Sequence, residues 1–107
     1  MNLSELNQEI YIVLTTEIDK ETACKLANLL LKEKFIPCVT LKNVESYFWW
    51  KGNINQSKEV QLMIKCKEEN VHKVCNKISE LHSYEVPEII CFCVSTDKNY
   101  HHWVNSI

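Results

Sequence analysis

The hydrophobic pattern along the chain changes period several times, and each change marks an element. Residues 9–16, EIYIVLTT, are β-branched and aromatic without interruption, which predicts a strand buried on both faces. Asp19 is placed to cap a helix in which Ala23, Leu26, Ala27 and Leu30 recur at helical spacing. Lys32 and Lys34 suit the negative end of that helix. Pro37 bars its continuation, and Cys38-Val39-Thr40-Leu41 opens a second strand.

That second strand meets no turn signal until Gly52, apart from a polar break at Lys42-Asn43. The alternation slips there from Val39 and Leu41 to Val44, which predicts a β-bulge. Gly52 is the single glycine of the chain, and in KGN it is the natural residue for the positive φ of a hairpin turn. The return strand reads Glu59 to Cys66, with Val60, Leu62, Ile64 and Cys66 on one face. Asn70 is the expected cap of a second helix carrying Val71, Val74, Cys75, Ile78 and Leu81 as one stripe. After LHSYEVPEII comes Ile89 to Val94, read as a buried strand, then a short final helix presenting Tyr100, Trp103, Val104 and Ile107. The order is an α+β fold, a ferredoxin-like βαββαβ sandwich with a long central hairpin and a short C-terminal helix, in a single domain over residues 1–107.

The hairpin is too long for its domain. From Pro37 to Lys51 a strand extends about 50 Å at ~3.3 Å per residue. A compact chain of this size is roughly 33 Å across. The overhanging end carries Tyr47, Phe48, Trp49 and Trp50 on alternating faces. Covering two such rings is worth roughly 8–10 kcal/mol as an upper estimate. Laying the overhang on sister copies provides that cover and generates a closed ring. The alternative is a sharp bend at Lys42 that folds the aromatics back on their own chain.

Composition narrows the function classes. The chain has 107 residues, 46% hydrophobic and 24% charged, with a net charge of −2. These are the values of an ordinary folded domain, with no run long enough to span a bilayer. The opening MNLSELNQEI has no signal-peptide pattern, so a cytoplasmic location is expected. All twelve basic residues are lysine, which removes the planar fork used for phosphates and guanine and argues against a nucleic-acid partner. The six cysteines are scattered without C-x-x-C spacing and read as reduced, buried small hydrophobes. Cys91 and Cys93 share a strand face and are expected to fill core.

With the layout in place, the sequence resembles the CutA divalent-cation tolerance family over nearly its whole length. The resemblance is carried by Val13-Leu14-Thr15-Thr16 with Asp19 and Ala23, by Cys38-Val39, and by Ser46-Tyr47, Trp49, Lys51-Gly52 and Glu59. Lys65, then His82, Tyr84, Glu85 and Pro87-Glu88-Ile89, then Tyr100 and Trp103, complete it. It implies a homotrimer joined through extended hairpins, with Tyr47, Phe48, Trp49, Trp50 and Trp103 at the interface. It also implies tolerance to and binding of copper(II) or another divalent cation, and a PII-like role sensing a small ligand in clefts between subunits. No catalytic reaction is implied, and no cofactor is needed for folding. The chain departs from the family pattern in reading His82-Ser83-Tyr84 where H-P-Y is usual. Of a bacterial copper set of one cysteine and two histidines only His82 matches, with Thr15 and Leu81 at the other two positions.

Several residues then stand as candidates. His82 either satisfies the last carbonyls of its helix or contacts a metal or ligand. Lys65, Tyr84, Glu85, Glu88 and Glu59 are the ligand-cleft candidates, with Lys65–Glu88 an expected ion pair and Glu59 expected to pair across the hairpin. Pro87 suits the first position of the last strand and keeps Val86 extended, which aims Glu88. His101 and His102 diverge by about 100° on a helix and read as surface histidines. A second functional reading keeps the same clefts but gives Lys65, Glu88 and Tyr84 acid–base roles on a small metabolite. A third is a structural scaffold.

Overall fold

The structure is a computed structural model that describes residues 1–107. Four strands form one antiparallel sheet: β1 (Gln8–Glu17), β2 (Cys38–Trp50), β3 (Asn53–Cys66) and β4 (Ile90–Thr96), in the order β2-β3-β1-β4. Helices α1 (Lys20–Lys32) and α2 (Val71–Leu81) connect them, α3 (Lys98–Asn105) comes last, and 3-10 turns sit at Leu3–Glu5 and Glu68–Asn70. This is the expected split βαβ plan.

Strand alternation sorts the sheet into two faces. Val13 of β1 and Val60, Leu62, Ile64 and Cys66 of β3 point to α1 and α2, where Ala23, Leu26, Ala27, Leu30, Val74 and Ile78 close a buried core. The opposite face carries Ile12 and Leu14 of β1, paired with Phe92 and Ile90 of β4 and with Lys65 and Met63 of β3. Only α3 crosses that face, against β1 and β3, and it accounts for the burial of Ile10 and Val104.

Two strands expected to be buried are therefore half open. In β1, Glu9 is exposed and Tyr11, Ile12 and Leu14 are only partly covered. In β4, Ile90, Cys91, Phe92 and Cys93 are all exposed. A continuous apolar run was the signal for two covered faces, but β4 is an edge strand and one sheet face has few helices over it. The thiols obey the same rule: Cys66 alone is buried, while Cys91 and Cys93 are exposed rather than core-filling.

The hairpin is uninterrupted. Pairing runs from Cys38↔Lys65 to Trp50↔Asn53 in one register, so the bulge expected at Lys42-Asn43 is absent. The shift in hydrophobic alternation at Val44 marks instead where the helices stop covering the ribbon. Lys51 and Gly52, at φ 51° and 80°, make the two-residue turn, both in the left-handed region that type I′ hairpins require. β1 pairs with β3 only as far as Glu17↔Val60, so everything beyond Glu59 and Val44 projects from the body. The molecule measures 46 × 30 × 20 Å with a radius of gyration of 15.1 Å, against about 13 Å for a compact chain of this length. On the ribbon's two faces Tyr47 is 66%, Phe48 40%, Trp49 71% and Trp50 42% exposed, so none is folded back under a helix.

Helix ends obey local chemistry. Asp19 accepts from the Thr22 amide at 2.8 Å, and Asp97 caps α3 through the Asn99 and Tyr100 amides. Asn70 stands at the start of α2 without capping it. Its side chain donates to the Phe35 carbonyl at 3.0 Å and ties the α1–β2 connection to α2. α1 ends with Lys34 left-handed at φ 59°, its amide on Leu31 and the Phe35 amide on Leu30, the closure usually made by glycine.

Candidate functional site

The connection from α2 to β4, residues 82–89, wraps the end of β1 where the hairpin leaves the body. β1 ends at Glu17 while β3 runs on toward the tip paired only with β2, so the β3 edge at Glu59 is open there. The connection fills that corner. Its anchor is His82, whose side chain is fully buried beside that of Glu17, at 0% and 1% exposed.

The His82 ring is held at both nitrogens. The Tyr84 amide donates to Nδ1 at 3.0 Å, which leaves the ring proton on Nε2, and Nε2 donates to the Thr16 carbonyl at 2.6 Å. Glu17 Oε2 approaches Nδ1 at 3.8 Å, but with Nδ1 already accepting, this is proximity and not an ion pair. The Glu17 oxygens instead accept from the Ile18 and Ser83 amides at 2.9 and 3.2 Å. His82 thus reaches past its own helix to β1. The only helix carbonyl satisfied at this residue, that of Ile78, is taken by the His82 backbone N–H.

Tyr84 extends the network to the hairpin. Its hydroxyl donates to Glu59 Oε2 at 2.6 Å, and Glu59 is itself buried. Burial pushes the Tyr84 phenol well above its ordinary range, helped by the Glu59 bond and charge and by Glu17 and Asp19 nearby. The tilted rings of His82 and Tyr84 lie 5.0 Å apart. The expected cross-hairpin role of Glu59 is therefore replaced by a bond to this connection, since the open β3 edge meets it first.

The other candidates separate. Lys65 lies on the open sheet face and donates to Thr40 Oγ1 at 2.9 Å, so the expected ion pair with Glu88 is not formed within one chain. Glu85 and Glu88 are exposed, and Pro87 lies three residues ahead of β4 rather than at its expected first position, because pairing with β1 starts only at Ile90. His82, Tyr84, Glu59 and Glu17 are brought together; Lys65, Glu85 and Glu88 face outward. His101 is partly covered and His102 exposed on α3. No three His, Cys, Asp or Glu side chains converge closely enough to hold a metal ion. Glu17 is not marked out by the sequence pattern because it looks like the polar end of an apolar strand. An acid directly after Val13-Leu14-Thr15-Thr16, ahead of the capping Asp19, was the available signal.

One polar atom in the core has no partner: the hydroxyl of fully buried Thr15. No helix is long and apolar enough to cross a membrane.

Comparison with known proteins agrees with this layout. Residues 11–107 match the CutA1 divalent ion tolerance protein family. The divalent-cation tolerance protein CutA of Pyrococcus horikoshii is 38% identical over 94 residues, which span 87% of this chain and 92% of that one. Its Pectobacterium atrosepticum counterpart is 33% identical over 97 residues, 89% of this chain and 88% of the other. The crystal structure of the Pyrococcus protein superposes with a TM-score of 0.86 over 90% of this chain and 95% of its own. The periplasmic divalent cation tolerance protein CutA of Archaeoglobus fulgidus, 27% identical, does so with 0.86 over 92% and 97%. Sequence, sheet order and projecting hairpin lead to one conclusion: this chain belongs to the CutA1 divalent ion tolerance family.

Proposed function

We propose that this member of the CutA family works as a homotrimer that binds a divalent cation, copper(II) in the first instance, or a small ligand in clefts between its subunits, in the manner of PII-like sensors. It acts by binding and not by catalysis. The observation that carries the reading is the large uncovered apolar surface of the single chain. Ile90 and Phe92 on the open sheet face are 46% and 39% exposed. The open edge of β4 and the aromatic hairpin add to it, more than an isolated soluble chain ordinarily leaves in water. A closed ring of copies covers all three, with Trp103 of α3 at the same interface.

In such a ring the outward-facing Lys65, Glu85 and Glu88 line the cleft, backed by Tyr84 and Glu59. Because His82 spends both nitrogens inside the chain, cation binding through it requires the 82–84 turn to open. The exposed carboxylates of Glu85 and Glu88 are then the donors left in the cleft, and at a given donor set copper binds tightest of the first-row divalent ions. Light scattering on a size-exclusion peak tests the assembly: a mass of three chains is expected, and a monomer at micromolar concentration defeats it. Calorimetric copper titration of wild type, His82→Ala and Glu88→Gln tests the site. A weaker signal in Glu88→Gln is expected, and equal affinity in all three removes both residues.

A further inference from the structure

Four of the six thiols come to the same side of the sheet, although no motif in the chain groups them. Tyr11 of β1 lies between Cys66 of β3 and Cys93 of β4, and Val13 lies between Ile64 and Cys91. Directly paired residues point the same way, so Cys66, Cys91 and Cys93 stand with Val13 on the helix side. α2 rests on β1, and Cys75 belongs to its inward stripe, packed against the cluster that holds Val13 and Cys66.

Within this group Cys75 and Cys91 make a pair. Cys66 is fully buried, whereas Cys75 is partly covered and Cys91 exposed, so an ion from solvent reaches these two first. Burial pushes the Cys75 thiol up and the field of Cys91 adds to it, while Cys91 is itself raised by burial. The field of Cys93 falls elsewhere, on Tyr11, after that of Glu68. Cys75 and Cys91 are therefore thiols at neutral pH, and a thiolate at one disfavours a thiolate at the other. A cation between them removes that conflict.

We propose that Cys75 and Cys91 form a two-sulfur site for a soft monovalent cation, copper(I) or its analogue silver(I). The donor set selects this class. No three His, Cys, Asp or Glu side chains converge, so zinc(II) and other ions that need three or four donors find no site. Closed-shell copper(I) and silver(I) are soft and are satisfied by two thiolates in a line. A direct disulfide suits the pair less well, because α2 approaches β1 and not β4 most closely, and the thiols face each other across the length of their side chains. A sulfur–ion–sulfur bridge spans roughly 4–5 Å, a sulfur–sulfur bond only ~2 Å. Binding converts one cation and two thiols into a dithiolate complex of charge −1 and two free protons, with no electron transferred. The site uses the helix side of β4, apart from the open sheet face and the cleft carboxylates, so it stands independently of the assembly and of divalent-cation binding there.

Silver(I) is the probe, because it is inert to oxidation and reduction here; it is titrated into the reduced full chain without halide. Copper(I) is then competed against a chromophoric chelator in the absence of oxygen. One ion per chain is expected, with sulfur-to-metal absorption in the ultraviolet and two protons released. The apparent affinity is expected to rise about a hundredfold per pH unit, tenfold for each proton displaced. Cys75→Ser and Cys91→Ser are each expected to lower it about a hundredfold or more, since loss of even an outer-sphere partner costs about ten- to a hundredfold. Cys24→Ser and Cys93→Ser are expected to bind as wild type does, and circular dichroism checks the fold of every variant. Cys91→Ser, at an exposed position, keeps the test open if Cys75→Ser unfolds. Wild-type affinity in both Cys75→Ser and Cys91→Ser overturns the site, as does loss of binding in Cys93→Ser alone. Zinc(II) displacing silver(I) at equal concentration reveals a larger donor set and likewise overturns it.

Discussion

Glu17 is the residue on which the 82–89 connection turns. A buried carboxyl group loses several kcal/mol of hydration, and two backbone amides offset it. Glu17→Ala leaves the part-buried Ile18 and Ser83 amides without their acceptor, so a loss of about 1–3 kcal/mol is expected in chemical denaturation. Tyr84 gives a pH signature. Its folded pKa lies above the unfolded value, so the stability it contributes is fully present below about pH 10 and declines as pH rises through the folded pKa. Ultraviolet titration is expected to show the Tyr84 phenol as the last to ionise, after those of Tyr11 and Tyr100, which are raised less. Tyr84→Phe abolishes that step and lessens the alkaline fall in stability. It also strands Glu59 for about 1–2 kcal/mol at neutral pH. A titration identical in the two proteins counts against the Tyr84–Glu59 bond.

Elements differ in how fully local sequence accounts for them. α1 closes on Lys34 in a left-handed conformation at φ 59°. Lys34→Gly is expected to raise stability by about 0.5–1 kcal/mol, read as a higher melting temperature, because glycine adopts that conformation without a Cβ clash. At the hairpin, Gly52 has φ 80° and open space around its Cα. Gly52→Ala therefore costs backbone strain alone, about 1 kcal/mol. Thiol chemistry separates β3, which carries Cys66, from β4, which carries Cys91 and Cys93. Burial pushes the Cys66 thiol up to about 12, with the fields of Cys91 and Cys75 adding to it. Cys66 is thus expected to resist disulfide reagents until the chain unfolds. Cys91 and Cys93 are exposed in the single chain, so protection of both in the native protein, with release on dissociation, is the mark of a covered β4 edge.

At the scale of the molecule, the open sheet face is the surface on which the proposed association rests. Phe92 and Ile90 project from an edge strand next to Leu14 and Ile12. Phe92→Lys places a charge in that patch without touching the α1/α2 core. It is expected to leave circular dichroism unchanged while light scattering shows the mass of one chain. If Phe92→Lys keeps the wild-type mass, the open face is not the contact between copies. The 46 Å length of the molecule, set by an uninterrupted hairpin register, supplies the reach for a neighbour to be touched at all.

Local signals in the chain determined much of this protein. Asp19, Pro37 and Gly52 punctuate the elements, and the period-two run of Val60, Leu62, Ile64 and Cys66 determined which face of β3 is core. The run from Pro37 to Lys51 without a turn signal already implied a ribbon longer than its body. Tertiary structure decided what depends on residues far apart in the chain. It placed Glu17 beside His82 and gave Glu59 to Tyr84, since the partners are joined only where β1 stops short of β3. It also made β4 an exposed edge, because an apolar run specifies that a strand wants cover but not which surface provides it. Burial is a property of neighbours, and neighbours are chosen by the fold.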